Sequence, residues 1–246
     1  MKFETIEAYN LPERIEAISK YLVSILSVNG TSGEVAVADA IYKLVKSAPY
    51  FKEHPRCVWQ QALEQDSLKR KNNFALLKKE GTKQTVILHS HMDTVGVEDY
   101  GPLKEIAHDS DALQAFFKTY DEDPLIQKHA QSGDWLFGRG ILDMKSGDAV
   151  NIATIFYYME HMDELPCNLL LMTNAVEEND HTGAIQASSE LLRLRQEGYD
   201  FKAAINTDFS SPSYEGDEKK YIYTGAAGKM LTCFYIKGRE THVGSC

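Results

Sequence analysis

The stretch TVILHSHMD, Thr85 to Asp93, decides the fold, because an apolar run leads straight into polar side chains. Thr85 to Leu88 is rich in β-branched and aliphatic residues, which is typical of a strand. Since side chains alternate along a strand, His91 and Asp93 face the same way, as does His89. The stretch therefore predicts a strand whose carboxyl end presents side chains that bind metal ions.

The same pattern, an apolar run followed by acidic residues, recurs twice further along the chain. Asn168 to Val176 precedes Glu177-Glu178, and Ala203 to Thr207 precedes Asp208. Two segments between and before these runs are predicted helices: Ala149 to Met162 and Gly183 to Arg195. This alternation predicts an α/β fold with a mixed, partly parallel sheet flanked by helices, in which ligands bind beyond the carboxyl ends of strands.

Other elements follow from local patterns. Two helices are predicted near the amino end, Pro12 to Leu26 and Thr31 to Val45. Asn73 to Leu77 forms a hairpin with Thr85 to Leu88 or lies beside it. Glu98 to Asp134 is acidic and is predicted to be a surface insertion, irregular apart from a helix around 112–120. Two later strands are predicted at Tyr221 to Tyr223 and Met230 to Ile236.

Composition limits the class of protein. The 246 residues are 43% hydrophobic, which suits one large domain or one domain plus part of another. The net charge of -10 disfavours nucleic acid and anionic membrane surfaces as partners and favours a small molecule. No secretory signal or membrane span is visible. The four cysteines form no Cys-x-x-Cys pair, which predicts reduced thiols in a cytoplasmic protein.

Charge makes the strongest functional argument. The polar segments contribute one imidazole and five carboxylates: His91, Asp93, Asp143, Glu177, Glu178 and Asp208. If these groups converge without a cation, their like charges would strongly destabilise the site. Zinc accepts His nitrogen and Asp or Glu oxygen, and two ions that share a carboxylate can polarise one water. The pattern therefore predicts a two-metal hydrolase.

Several of these residues also have ordinary interpretations. Glu177-Glu178 alone would be a solvated charge pair, and Asp208 alone would cap a loop. His89 would be a hydrogen-bonded pocket histidine, and His181 would cap the helix that follows it. Arg139 and Lys145 would both suit a substrate carboxylate, which an Arg can bind with two hydrogen bonds. Lys145, at the start of a helix, would equally well serve packing or charge balance. Only the ordered combination is specific.

The ordered combination resembles a known family. The segments His91-Met92-Asp93, Gly138 to Asp143, Glu177-Glu178 and Asp208 are similar to those of zinc-dependent deacylases and exopeptidases. That family includes acetylornithine deacetylase, succinyl-diaminopimelate desuccinylase and the aminoacylases. His89 to Val95, with the acidic insertion, most resembles a subgroup of arginine utilisation. The resemblance covers nearly the whole chain and implies a zinc-exopeptidase-like catalytic domain.

The resemblance also implies a set of metal ligands. His91 and Asp208 would bind one zinc ion, and Asp143 would bridge both ions. Glu178 would bind the other ion. Cobalt and manganese are alternatives, because His and carboxylate ligands suit all three metals.

Three further residues receive catalytic roles from the resemblance. Glu177 would be the general base, and Asp93 would hold the His91 ring through its free N–H. His242 matches a histidine on a lid domain that donates to the developing oxyanion. In dimeric relatives this histidine reaches the partner chain, so the resemblance implies a homodimer through the lid.

The implied organisation is a catalytic metal-binding domain over residues 1–227 and the start of a smaller α+β lid or dimerisation domain over 228–246. Relatives continue through the lid and supply a late histidine to the second metal, which has no counterpart before Cys246. We expect the sequence to be a fragment of a longer chain. The implied function is hydrolysis of an amide bond in a small N-acyl amino acid or dipeptide, in arginine or ornithine catabolism. The alternative is a non-catalytic metal- or amino-acid-binding protein on the same scaffold.

Overall fold

The computed structural model describes residues 1–214, 216–225, 234–235 and 237. The chain divides into two compact units, Met1–Phe209 and Ser210–Cys246. The predicted domain boundary at 227/228 and His242 lie outside the described residues, as does nearly all of the strand predicted at Met230 to Ile236. The prediction of a strand at Tyr221 to Tyr223 is wrong, because these residues form none. They pair with no other strand of the described chain, and Ile222 is 92% exposed.

The first unit contains a five-stranded mixed sheet, which confirms the predicted fold class. Its strands are β1 (Val58–Ala62), β2 (Lys71–Leu77), β3 (Gln84–His91), β4 (Asn168–Asn174) and β5 (Asp200–Asn206). Their order across the sheet is β1-β2-β4-β3-β5. Strand β3 pairs in parallel with both β4 and β5, whereas β2 runs antiparallel to both of its neighbours, β1 and β4. The carboxyl ends of the three parallel strands therefore meet at one edge of the sheet.

The prediction that Asn73 to Leu77 forms a hairpin with Thr85 to Leu88, or lies beside it, is wrong. Strand β4 lies between β2 and β3, and pairs Leu77 with Leu169 on one side and Val86 with Leu169 on the other. All seven residues of β4 are buried. A strand with no exposed residue belongs in the interior of a sheet, where neighbouring strands cover both edges and helices cover both faces.

Helices cover both faces of the sheet. Helices α4 and α5 belong to the Glu98 to Asp134 insertion. The other described α-helices are α1 (Leu11–Val23), α2 (Gly33–Lys46), α3 (Pro49–Glu53), α6 (Ser146–Glu160) and α7 (Thr182–Gln196). Helices α1, α2 and α6 build the larger core on one face. Helix α7 packs on the other face against β2 and β4. Within the described chain, no helix has the length and apolar character needed to cross a bilayer.

The insertion is more ordered than the sequence predicts. Its predicted helix is present as α4 (Ser110–Phe117), but a second helix, α5 (Pro124–Ser132), packs against it. The side chain of Asp123 accepts hydrogen bonds from the first amides of α5, and Pro124 occupies the first turn. An acidic cap followed by proline is a readable helix start, so the local signal for α5 was present in the sequence.

Candidate metal centre

The candidate site lies where the parallel strands end. His91 is the last residue of β3 and pairs with Asn174 at the end of β4, and His89 pairs with Asn206 at the end of β5. Asp93, Glu177-Glu178 and Asp208 follow these ends directly. Asp143 comes from a turn, Ile141–Lys145, which leads into α6. Four segments distant in sequence thus converge, and three of them do so because β3, β4 and β5 run in the same direction.

The Nε2 atom of His91 is at the centre of the group. It lies 2.9 Å from Asp143 Oδ1, 3.7 Å from Glu177 Oε2 and 4.0 Å from Asp208 Oδ2. One ligand atom from each of His91, Asp143 and Asp208 lies within 4.8 Å of the other two. His91 is buried, whereas the three carboxylates are partly open to solvent. A small cation and a substrate atom can therefore both reach the space between His91 Nε2 and these carboxylates.

Glu178 lies beside this group rather than inside it. It lines a cavity of about 340 Å³ together with Asp143, and Phe209 and Leu142 contribute apolar walls. Burial raises the pKa of Glu178, and the charge of Asp143 raises it further. The structure thus places Glu177 nearer to His91 and leaves Glu178 facing the cavity.

The His91 ring is held by a main-chain group. Its Nδ1 lies 3.1 Å from the main-chain oxygen of Asp93, whereas the Asp93 carboxylate is 3.8 Å away. Because a carbonyl oxygen only accepts, the ring proton belongs on Nδ1 and leaves the Nε2 lone pair free. The predicted partner residue is Asp93, but its carbonyl makes the hydrogen bond. The carboxylate instead accepts from the amides of Glu177 and Glu178, each at 3.0 Å, and from Asn29 Nδ2.

The charge of the group fits a divalent cation. Within the described chain, no Lys or Arg nitrogen lies within 4.0 Å of the carboxylates of Asp143, Glu177 or Asp208. Burial alone would lower the pKa of His91, but the surrounding carboxylates, led by Asp93, raise it overall. A histidine nitrogen and several carboxylate oxygens that lack a basic partner are the donor set of a zinc, cobalt or manganese site.

The two basic side chains near the site have other partners. Lys145 is 1% exposed, and its Nζ donates to the main-chain oxygens of Leu22 and Ile25. Burial lowers the pKa of Lys145 to about 8. Arg139 forms an ion pair with both oxygens of Asp99 and lies over the Tyr100 ring. Lys145 thus serves packing, and Arg139 anchors the insertion.

Asp148 is a buried carboxylate beneath the site that the sequence did not single out. It is fully buried on α6, and neither oxygen makes a hydrogen bond of normal geometry in the described chain. Burial raises its pKa to about 7, although the nearby Ser90 hydroxyl opposes the shift. Because the ordinary pKa of Asp is near 4, the folded protein binds one more proton than the unfolded chain between about pH 4 and pH 7.

We therefore expect Asp148→Asn to stabilise the metal-free protein at pH 8 by on the order of 2 kcal/mol and to leave its stability at pH 4 nearly unchanged. The sign follows because Asp148 loses its extra proton as the pH rises, and the unpartnered charge then costs stability. Urea unfolding of both proteins at the two pH values measures the difference. Equal stabilities at pH 8 would show that burial of the ionised Asp148 carboxylate costs no stability, and so would contradict the raised pKa.

Histidines near the site have distinct environments. His89 is a hydrogen-bonded pocket histidine as predicted, with Nε2 2.8 Å from Asn174 Oδ1, and burial lowers its pKa. His181 occupies the N-cap position of α7 as predicted, but its side chain makes no capping hydrogen bond. Its Nδ1 lies 3.5 Å from Glu177 Oε1 instead. The ring thus faces the carboxylate predicted to be the general base.

No protein-family model matches the chain. The sequence is 51% identical to protein RocB of Bacillus subtilis over 246 residues, which is 99% of this chain and 44% of RocB. It is 32% identical to succinyl-diaminopimelate desuccinylase of Wolinella succinogenes over 109 residues, 44% of this chain and 28% of that enzyme. The chain therefore spans less than half the length of these relatives.

Solved structures support the fold. Human carnosine dipeptidase 1 superposes with a TM-score of 0.55 at 17% identity, over 86% of this chain and 41% of that one. LapB from Legionella pneumophila gives a TM-score of 0.53 at 15% identity, over 82% of this chain and 44% of that one. Fold and site together define a zinc-exopeptidase-like α/β domain. By sequence, the chain resembles the zinc-dependent deacylases and exopeptidases, and within them RocB over nearly the whole of its length.

Proposed function

We propose that the chain carries the metal site and the general base of a hydrolase that cleaves an amide bond in a small N-acyl amino acid or dipeptide-like substrate. The observation that supports this most is the meeting of His91, Asp143 and Asp208 within 4.8 Å, with Glu177 Oε2 3.7 Å from His91 Nε2. A binding protein needs the ligands but has no use for an adjacent carboxylate that is free to move protons.

The proposed ligands are His91 and Asp208 for one ion, Asp143 as the bridge and Glu178 for a second ion, with zinc as the metal. Bound divalent ions would polarise the substrate carbonyl and lower the pKa of a water. Glu177 would accept a proton from the attacking water on Oε2 and deliver it to the leaving amine. Oxygen Oε1 faces His181, which would hold the carboxylate in place.

The finer assignments rest on the resemblance. We propose arginine or ornithine catabolism as the setting, a homodimer through the lid, and His242 as the donor to the oxyanion. A cytoplasmic location agrees with the free thiols of Cys57 and Cys167. The apolar walls of the cavity beside Asp143 suit the aliphatic part of a small substrate.

The test uses the full natural chain, loaded with zinc and assayed for release of free amine from acyl-arginine, acyl-ornithine and dipeptides. We expect turnover of at least one of these classes, and loss of that turnover when a chelator removes the metal. Tight metal binding without turnover of any of them would contradict the hydrolase and favour the alternative, a metal- or amino-acid-binding protein.

A further inference from the structure

The segment that presents the two glutamates is held by side chains from three other elements. Four successive main-chain N–H groups, Ala175 to Glu178, each donate to a buried side-chain oxygen. The acceptors are Asn72 Oδ1 at 3.2 Å, Glu34 Oε1 at 3.2 Å, Asp93 Oδ1 at 3.0 Å and Asp93 Oδ2 at 3.0 Å. Main-chain N–H groups ordinarily donate to carbonyl groups of a strand or helix. Here they donate to side chains of other elements, so those side chains determine the conformation of the segment.

Val176 is the strained point of the segment. Its φ is 66°, in the left-handed region, and its side chain is buried. A β-branched residue in this region is an outlier that persists only where its surroundings enforce it. Two hydrogen bonds enforce it here: the Val176 N–H donates to Glu34, and its carbonyl accepts from the His181 amide at 2.9 Å.

Glu34 is itself fixed. It lies in the first turn of α2 and is 1% exposed. Its Oε2 accepts from the Gly30 amide at 2.8 Å and from Arg70 Nη1 at 3.0 Å, which leaves Oε1 for Val176. Arg70 is in turn paired with Asp66 at 2.7 Å. Oxygen Oε2 of Glu34 is therefore paired with the Arg70 cation, and Oε1 accepts the hydrogen bond from the Val176 amide.

We propose that Glu34 is a positioning residue that holds the Val176 peptide in its left-handed conformation, so that Glu177 and Glu178 point toward His91 and Asp143. The catalytic part of this inference rests on the proposed function. Glu34 touches neither the predicted ligands nor the cavity beside them, so it acts through the backbone. Asp93 fixes the next two amides, and the two carboxylates together determine the path of the chain from Val176 to Glu178.

Glu34→Gln tests the proposal, because the amide keeps the size of the side chain but supplies only one acceptor oxygen. Either the Val176 amide, or Gly30 and Arg70, then faces an NH₂ donor. Glu160→Gln is the control, since it breaks the partly buried ion pair with Arg14, which is remote from the site. In the full natural chain without metal, we expect amide hydrogen exchange at 176–178 to be about tenfold faster in Glu34→Gln and unchanged in the control.

In the metal-loaded protein, we expect Glu34→Gln to lower kcat about 10- to 100-fold, with KM changed less than about threefold. Addition of Val176→Gly to Glu34→Gln should restore part of kcat, because glycine adopts this φ without strain. We expect the double variant nevertheless to melt at a lower temperature than Glu34→Gln alone. A merely structural role would make the double variant worse in both respects. Glu34→Asp, too short to reach both Val176 and Gly30, should show the same loss if Glu34→Gln does not fold.

Two results would overturn the inference: exchange at 176–178 as slow in Glu34→Gln as in the wild type, or kcat within twofold of the wild type. Failure of this inference can be distinguished from failure of the proposed function. A wild-type protein that hydrolyses no substrate would refute the proposed hydrolase, whereas hydrogen exchange would still decide whether Glu34 holds the segment.

Discussion

Replacement of Glu177 by Gln is expected to lower kcat by about 10²- to 10⁴-fold and to leave the metal content unchanged. The amide has the size of the carboxylate but cannot accept a proton from water at neutral pH. Because Glu177 Oε2 lies 3.7 Å from His91 Nε2, it is close enough to the ligands to act on a substrate held there. Steady-state kinetics and elemental analysis on the same samples measure both quantities.

Glu178→Gln is the matched control, since it makes the same chemical change at the adjacent residue. We expect this variant to lose part of its bound metal, because the carboxylate that lines the cavity with Asp143 would be a ligand. The two roles are reversed if Glu177→Gln loses metal and Glu178→Gln keeps it while losing kcat. A Glu177→Gln enzyme with wild-type kcat would exclude Glu177 as the base.

Asp143→Asn is expected to abolish the stabilisation that zinc gives. Asp143 Oδ1 is the carboxylate atom nearest to His91 Nε2, and the predicted bridge would contact both ions. A ligand present at about 100 times its Kd stabilises a folded protein by about 2.7 kcal/mol. We expect thermal melting of the wild type to rise on addition of zinc, and melting of the variant to stay close to that of the metal-free protein.

Without metal, we expect Asp143→Asn to be at least as stable as the wild type. Without a cation, and at alkaline pH where His91 is neutral, the carboxylates of Asp143, Glu177 and Asp208 repel one another, so removal of one charge should not lower the stability of the metal-free chain. Asp163→Asn, the same change at an exposed position away from the site, serves as the control. A metal-free Asp143→Asn protein that melts well below the wild type would contradict the assignment of Asp143 to a metal site.

Local pattern predicts most of the elements but not their order in space. The apolar run Leu169 to Met172 within β4 marks an interior strand, and helical periodicity finds α1, α2, α6 and α7. That β4 lies between β2 and β3 is a long-range choice, since the sequence near Asn73 to Leu77 fits either neighbour. Strand β1 was missed because Val58–Ala62 is short and largely half-buried, and carries polar glutamines.

Sequence likewise predicts some residues of the candidate site and not others. His91, Asp143, Glu177 and Asp208 can be found from sequence because each is a metal-binding type of side chain in a recognisable segment. Glu34, Asn72 and Asn29 cannot, since they act on main-chain N–H groups or side chains more than 60 residues away. No local pattern marks an acceptor for a distant amide. The strain at Val176 is equally invisible in sequence, where valine suits the preceding strand.

Anomalous diffraction at the zinc edge, from crystals of the full natural chain grown with zinc, tests the metal centre most directly. We predict a peak about 2.0–2.2 Å from His91 Nε2 and from oxygens of Asp143 and Asp208. A second peak about 3.5–4 Å away, bound by Asp143 and Glu178, would establish the pair of ions. Absence of any peak beside His91 under saturating zinc, or a peak held only by other residues, would contradict the metal centre on which the proposed hydrolysis depends.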